Sequence, residues 1–192
     1  MKKDIIISGV GGQGILSISA VIGMAALANN LHMKQAEVHG MSQRGGDVQS
    51  NLRISSNPIW SDLIQRRKAD LIISVEPMEA LRYVSYLSPD GWIITNTSPE
   101  KNIPNYTPEN ELDAELARYK TIAFNADEIA KAGGSSRSGN MVILGAASHF
   151  LDIEAESLEQ AIVSLFERKG EEIVASNIKA FRAGRDEAAK HL

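Results

Sequence analysis

The chain has 192 residues, 43% of them hydrophobic and 23% charged, a balance that suits one globular domain with a substantial buried core. Its net charge of −4 excludes the basic field that non-specific nucleic-acid binding needs. The lack of any apolar run near ~18 residues, together with the unsuitability of MKKDIII as a signal peptide, gives the expectation of a cytoplasmic protein that does not span a membrane.

The first element is a short β-branched strand over Asp4–Ser8, read as a buried parallel strand. It runs into GVGGQG, where Gly9, Gly11 and Gly14 have the spacing of a tight strand-to-helix turn. A helix rich in Ala, Ile and Leu is predicted over 12–30, then strands over Gln35–His39 and Asp47–Ser55. Asp70–Val75 is the next parallel-type strand, and Pro77 opens a helix through 87. Ser88–Gly91 is predicted to be a turn, Trp92–Asn96 a strand, Ser98–Glu109 a loop, Lys120–Phe124 a strand and Ala126–Ala132 a helix. After the polar GGSSRSG loop come a core helix over Asn140–Phe150 and two amphipathic helices, Ser157–Arg168 and Glu171–His191. The alternation predicts a single α/β domain over 1–192, Rossmann-like and doubly wound on a mostly parallel sheet, with a helical tail from about 155.

Free N–H groups at a helix start behind a glycine turn favour a phosphate or pyrophosphate. Such a turn also occurs without any ligand. EVHGMSQRGG, residues 37–46, follows the second strand and is therefore placed on the same carboxyl edge, where open α/β sheets gather ligands. Arg44 has the chemistry to clamp a phosphate or carboxylate, and equally to sit in solvent or pair with Glu37. Ser138 or Asn140 is read as a helix cap, with ligand contact as the other reading. Trp60 and Trp92 are read as packing residues. The chain contains no cysteine, so it cannot form disulfides, hold clusters through thiolates or build a cysteine zinc site.

GVGGQGI, EVHGMSQRGG and SGNMVILGA, with DLIISVEPMEALR between them, resemble the gamma-type subunit of 2-oxoacid:ferredoxin oxidoreductases over nearly the whole chain, and within that family the indolepyruvate branch. The resemblance implies a Rossmann-like module in an enzyme that oxidatively decarboxylates a 2-oxoacid with coenzyme A, giving an acyl-CoA, carbon dioxide and reduced ferredoxin. It implies thiamine diphosphate, magnesium and iron–sulfur clusters held by a larger partner subunit, because this chain has neither cysteines nor a GDG motif. Carried over from the family, Gly9, Val10, Gly11, Gly12, Gln13 and Gly14 lie near coenzyme A; Ser42, Gln43, Arg44, Gly45 and Gly46 are expected to line the neighbouring edge, Asn140 is grouped with them as a cofactor contact from its own chemistry, and no residue is assigned as catalytic. The resemblance places ferredoxin as a partner only through the complex, and the docking surface exposed in an isolated preparation gives the expectation of a homodimer there. Two other readings stay open on the residues alone: a stand-alone NAD(P)-binding oxidoreductase with Glu37 as its ribose ligand, and a non-catalytic assembly subunit.

Overall fold

The computed structural model describes residues 1–40, 45–101 and 105–192. Among these, six strands form one sheet in the order β2-β3-β1-β4-β5-β6, with β1 at Lys2–Val10, β2 at His32–His39, β3 at Asp47–Ser55, β4 at Ala69–Ser74, β5 at Leu87–Asn96 and β6 at Thr121–Phe124. β1–β4, β4–β5 and β5–β6 are parallel. β3 runs antiparallel to both β1 and β2. Seven helices lie among the described residues: α1 (Ile15–Ala28), α2 (Pro77–Arg82), α3 (Glu109–Leu116), α4 (Ala126–Ala132), α5 (Gly139–Ala147), α6 (Ala155–Phe166) and α7 (Glu171–Ala189).

Successive side chains of a strand point to opposite faces, and the isoleucine run of β1 shows the result. Ile5 and Ile7 enter a large core with Leu71, Ile73, Ile94 and Ile122, covered by α1 and α4–α7. Ile6 enters a smaller core on the other face with Ile72, Ile93, Ala80 and Leu116, covered by α2 and α3. All three isoleucines are fully buried, so this strand has no solvent face to lose by a register slip. The doubly wound α/β architecture therefore holds, with β2 and β3 as an antiparallel hairpin on one side.

Three expectations are corrected. Ser88–Gly91 lies inside β5 rather than in a turn between elements: Leu87 pairs with Ala69 and Trp92 with Leu71, so the register shifts across this stretch. Gly91 packs there because an added Cβ would stand 2.9 Å from the Ala69 carbonyl oxygen. The helix after Pro77 closes at Arg82 and gives way to a single 3-10 turn over Val84–Tyr86. A helix not predicted at all, α3, begins at Glu109, with Glu109 and Glu111 in its first turn and Leu112 and Leu116 buried one turn apart.

Polar groups are tied down inside this frame. Asp4, buried at 1% exposure, pairs with Arg53 directly across the β1–β3 ladder through contacts of 2.7 and 3.2 Å. Burial raises the Glu79 carboxyl, opposed by its bond to Arg82, and burial pushes the Tyr83 phenol to about 12. No helix is long and apolar enough to cross a membrane among the described residues.

Candidate functional site

β1 ends at Val10 and α1 begins at Ile15, so the chain must reverse its path within four residues. It does so with Gly12 at φ +105° and Gly14 at φ +82°, conformations that L side chains rarely adopt. The Gln13 side-chain oxygen accepts from the Val10 N–H at 2.8 Å, and the Gln13 N–H donates to the Val10 carbonyl at 3.1 Å. Gly9 is required by its neighbour strand, since a Cβ there would lie 2.4 Å from Val75. Gly9 and Val10 are buried beneath the loop. The surface of the turn belongs to Gly11, Gly12, Gln13 and Gly14.

The α1 N-cap, Gly14, has no side chain to bond the first-turn N–H groups, and that turn holds no acidic residue. The positive end of the helix is left for an outside acceptor. Next to it, β2 and β3 bring the 40–46 loop alongside: the Gly11 N–H donates to the Gly46 carbonyl at 2.8 Å, and the Gly45 N–H to the Gly11 carbonyl at 3.4 Å. The two glycine-rich stretches are thus joined on one edge of the sheet. Ser42, Gln43 and Arg44 lie outside the described residues.

Gly12 lines a cavity on either side. One, of about 490 Å³, is bounded by Gly11, Gly14, the first turn of α1, Glu37 and His39. Among the described residues Glu37 Oε2 is buried there without a hydrogen-bond partner, an acceptor calling for a donor. The other cavity, of about 380 Å³, is bounded by Gln13, Asn96, Asp127, Arg137 and Asn140. The reading of Ser138 or Asn140 as a helix cap holds in part: the Asn140 side-chain oxygen accepts from the first-turn Met141 N–H at 3.0 Å. Ser138 stands at the N-cap without a side-chain cap bond, and its hydroxyl lies 2.8 Å from that of Ser135. Asn140 also donates across to the Gly14 carbonyl at 3.1 Å, joining α5 to the glycine turn.

Two residues that sequence reasoning missed organise the edge. Asn96 ends β5 and bonds Val75, Asp127, Ser98 and Ala126. Fully buried Glu76 follows β4 and accepts from the Glu79 N–H at 2.7 Å, from the Glu100 N–H at 3.3 Å and from the Tyr106 hydroxyl. Burial, then the bond to Glu76, raises the Tyr106 phenol far above its ordinary value and keeps it a donor. A lone polar residue closing an apolar strand was the available signal for both. Trp60 corrects the packing expectation: it is 92% exposed, whereas Trp92 stacks on Phe150 at 5.1 Å.

The family model described as pyruvate ferredoxin/flavodoxin oxidoreductase matches residues 4–187. The chain is 36% identical to the indolepyruvate oxidoreductase subunit IorB of Methanothermobacter thermautotrophicus, over 99% of this chain and all of the relative. It is 29% identical to the 2-oxoglutarate synthase subunit KorC of Methanothermobacter marburgensis, over 97% of this chain and 96% of the relative. Among solved structures, the keto/oxoacid ferredoxin oxidoreductase gamma subunit of Geobacter sulfurreducens superposes with a TM-score of 0.73 at 26% identity, over 98% of this chain and 99% of that one. The 2-oxoglutarate:ferredoxin oxidoreductase of Magnetococcus marinus, with 2-oxoglutarate, coenzyme A and succinyl-CoA bound, superposes over the whole of this chain with a TM-score of 0.77 at 25% identity. This chain spans only 31% of that longer one.

Proposed function

The chain belongs to the pyruvate ferredoxin/flavodoxin oxidoreductase family and is a subunit of a 2-oxoacid:ferredoxin oxidoreductase; from that membership we propose that its complex acts on arylpyruvates such as indolepyruvate and that its glycine turn receives coenzyme A. The relative of highest quoted identity supports the substrate class, and the coenzyme A bound to the Magnetococcus enzyme supports the co-substrate. Decarboxylation and electron delivery to ferredoxin are then the chemistry of thiamine diphosphate, magnesium and iron–sulfur clusters in a larger partner subunit. The absence of cysteine from this chain supports that division. The setting we propose is the cytoplasm.

The observation that carries the reading is Gly12, at φ +105° with no atom of the described residues beyond its own chain neighbours within 4 Å of the position a Cβ would take, standing between two cavities at an uncapped helix start. Coenzyme A presents phosphates and amide donors. The α1 N-terminus and Arg137 suit the first, and the unpartnered Glu37 oxygen suits the second. In this reading Gly11, Gly12, Gln13 and Gly14 form the contact surface, with Gly9 and Val10 supporting it from below. Asn140 and Gly46 hold the surface in place, and Ser42, Gln43, Arg44 and Gly45 complete the neighbouring edge. Arg44 takes either an anionic group of coenzyme A or the partner subunit.

Gly12→Ala in the reconstituted complex tests this. The new methyl group meets nothing else among the described residues and enters the ligand space, while backbone strain costs about 1–2 kcal/mol. We expect the KM for coenzyme A to rise about tenfold or more, a transition-state loss of roughly 1.4 kcal/mol, in a chain that still folds and assembles. An unchanged KM would place coenzyme A elsewhere.

A further inference from the structure

We propose that the loop joining β3 to β4, residues 56–68, is a preformed docking surface whose apolar anchor is Trp60 and whose occupant is an apolar pocket with an acidic rim on the larger subunit of the complex. The inference rests on the reading of this chain as a subunit.

The loop is held rather than free. Arg53, anchored on buried Asp4, donates to the Ser61 carbonyl at 2.9 Å and the Leu63 carbonyl at 3.3 Å. The Ile64 N–H donates to Asn51 at 3.3 Å, and the Ile64 side chain is buried in the smaller core. The Ser56 hydroxyl is tied to the chain's first residue. Within this fixed frame Trp60 is 92% exposed and Leu63 57%. A large apolar side chain held out into water gains nothing for the fold. Tryptophan is also the residue type most enriched at the energetic centres of interfaces, where a rigid host loses little freedom on binding.

Charge selects the occupant. Arg66, Arg67 and Lys68 follow Trp60 against a single acidic residue, Asp62, and no ion pair of the three is found among the described residues. Arg67 is held at φ +61° by its N–H bond to the Ser85 carbonyl at 3.1 Å. With Arg66 it borders a groove of about 710 Å³ that also carries Arg118, paired with Glu115, and Lys120, paired with Asp90. A two-fold dimer through this surface would bring two copies of the same net-positive patch together, which is unfavourable. A different chain with acidic groups around an apolar pocket meets both features. The loop leaves β3 beside the start of β1 and enters the start of β4, on the sheet edge opposite the glycine turn, so a partner seated here leaves that turn open.

The experiment measures association of the full chain with the purified larger subunit. For W60A and for R66E/R67E we expect Kd to rise at least tenfold with the unfolding midpoint unchanged, and R66E/R67E to flatten the salt dependence of binding. In a W92F background, emission from the remaining tryptophan should shift to shorter wavelength on mixing. Wild-type affinity in both variants, without that shift, overturns the docking surface and leaves the subunit reading intact. Failure of the unaltered chain to bind or activate the larger subunit overturns the subunit reading and the surface with it. A concentration-dependent homodimer dissolved by W60A would assign the surface to a second copy and overturn the occupant.

Discussion

Asn140 makes two bonds with one amide. Its oxygen accepts from the Met141 N–H at 3.0 Å, and its nitrogen donates to the Gly14 carbonyl at 3.1 Å. The second bond fixes the glycine turn from a helix distant in sequence, and a Cβ on Gly14 would stand 2.4 Å from that nitrogen. Asn140→Ala removes both hydrogen bonds, together worth about 2 kcal/mol. We expect Tm to fall roughly 4–8 °C and the KM for coenzyme A to rise about fivefold, measured by thermal unfolding and steady-state kinetics of the complex. A lower Tm with an unchanged KM would limit Asn140 to a structural tie. The glycines of this turn were legible in the sequence because little else reverses a chain at positive φ. The Asn140 bond was not, since it depends on where a later helix docks. The exposure of Trp60 was hidden for the same reason: composition favours burial of tryptophan, and only the path of the loop puts it in water.

At the scale of elements, α5 and α7 meet backbone to backbone. A Cβ on Gly184 would lie 1.8 Å from the Val142 carbonyl oxygen, and one on Gly145 1.9 Å from that of Phe181. Glycine inside a helix costs about 1 kcal/mol relative to alanine, so two of them mark a close approach. Gly184→Ala forces the helices apart. We expect a loss at the upper end of the roughly 1–3 kcal/mol typical of overpacking, and a Tm lower by about 6–12 °C, followed by circular dichroism. A Tm within a degree of the original would mean that the helices slide freely. The order of strands and helices was readable in outline; this pairing was not, since two glycines in separate helices do not announce that they meet. The Ser88–Gly91 stretch misled because Pro, Asp and Gly signal turns, whereas here they occupy a register shift within a strand. The α3 helix carried its own signal, Pro108 before an acidic first turn and Leu112 one turn from Leu116. The hairpin was also deducible, because residues 40–46 are too few for a parallel crossover of a dozen or more.

Across the whole molecule the sheet separates two tasks. The carboxyl ends of β1 and β4 carry the glycine turn and its cavities, and the opposite ends carry the β3–β4 loop with Trp60. Alternating strands and helices foretold the first edge, since ligands of open α/β sheets gather there. Nothing in periodicity foretold the second. The antiparallel insertion of β3 also has a dynamic consequence. Because Gly11 and Gly46 are bonded main chain to main chain, opening the turn after β1 requires that bond to the start of β3 to break. In deuterium exchange followed by NMR, the Gly11 amide should therefore be as slow as those of the neighbouring hairpin ladder, despite its place in a loop. Rapid labelling of Gly11 beside a protected ladder would show that the two segments breathe independently.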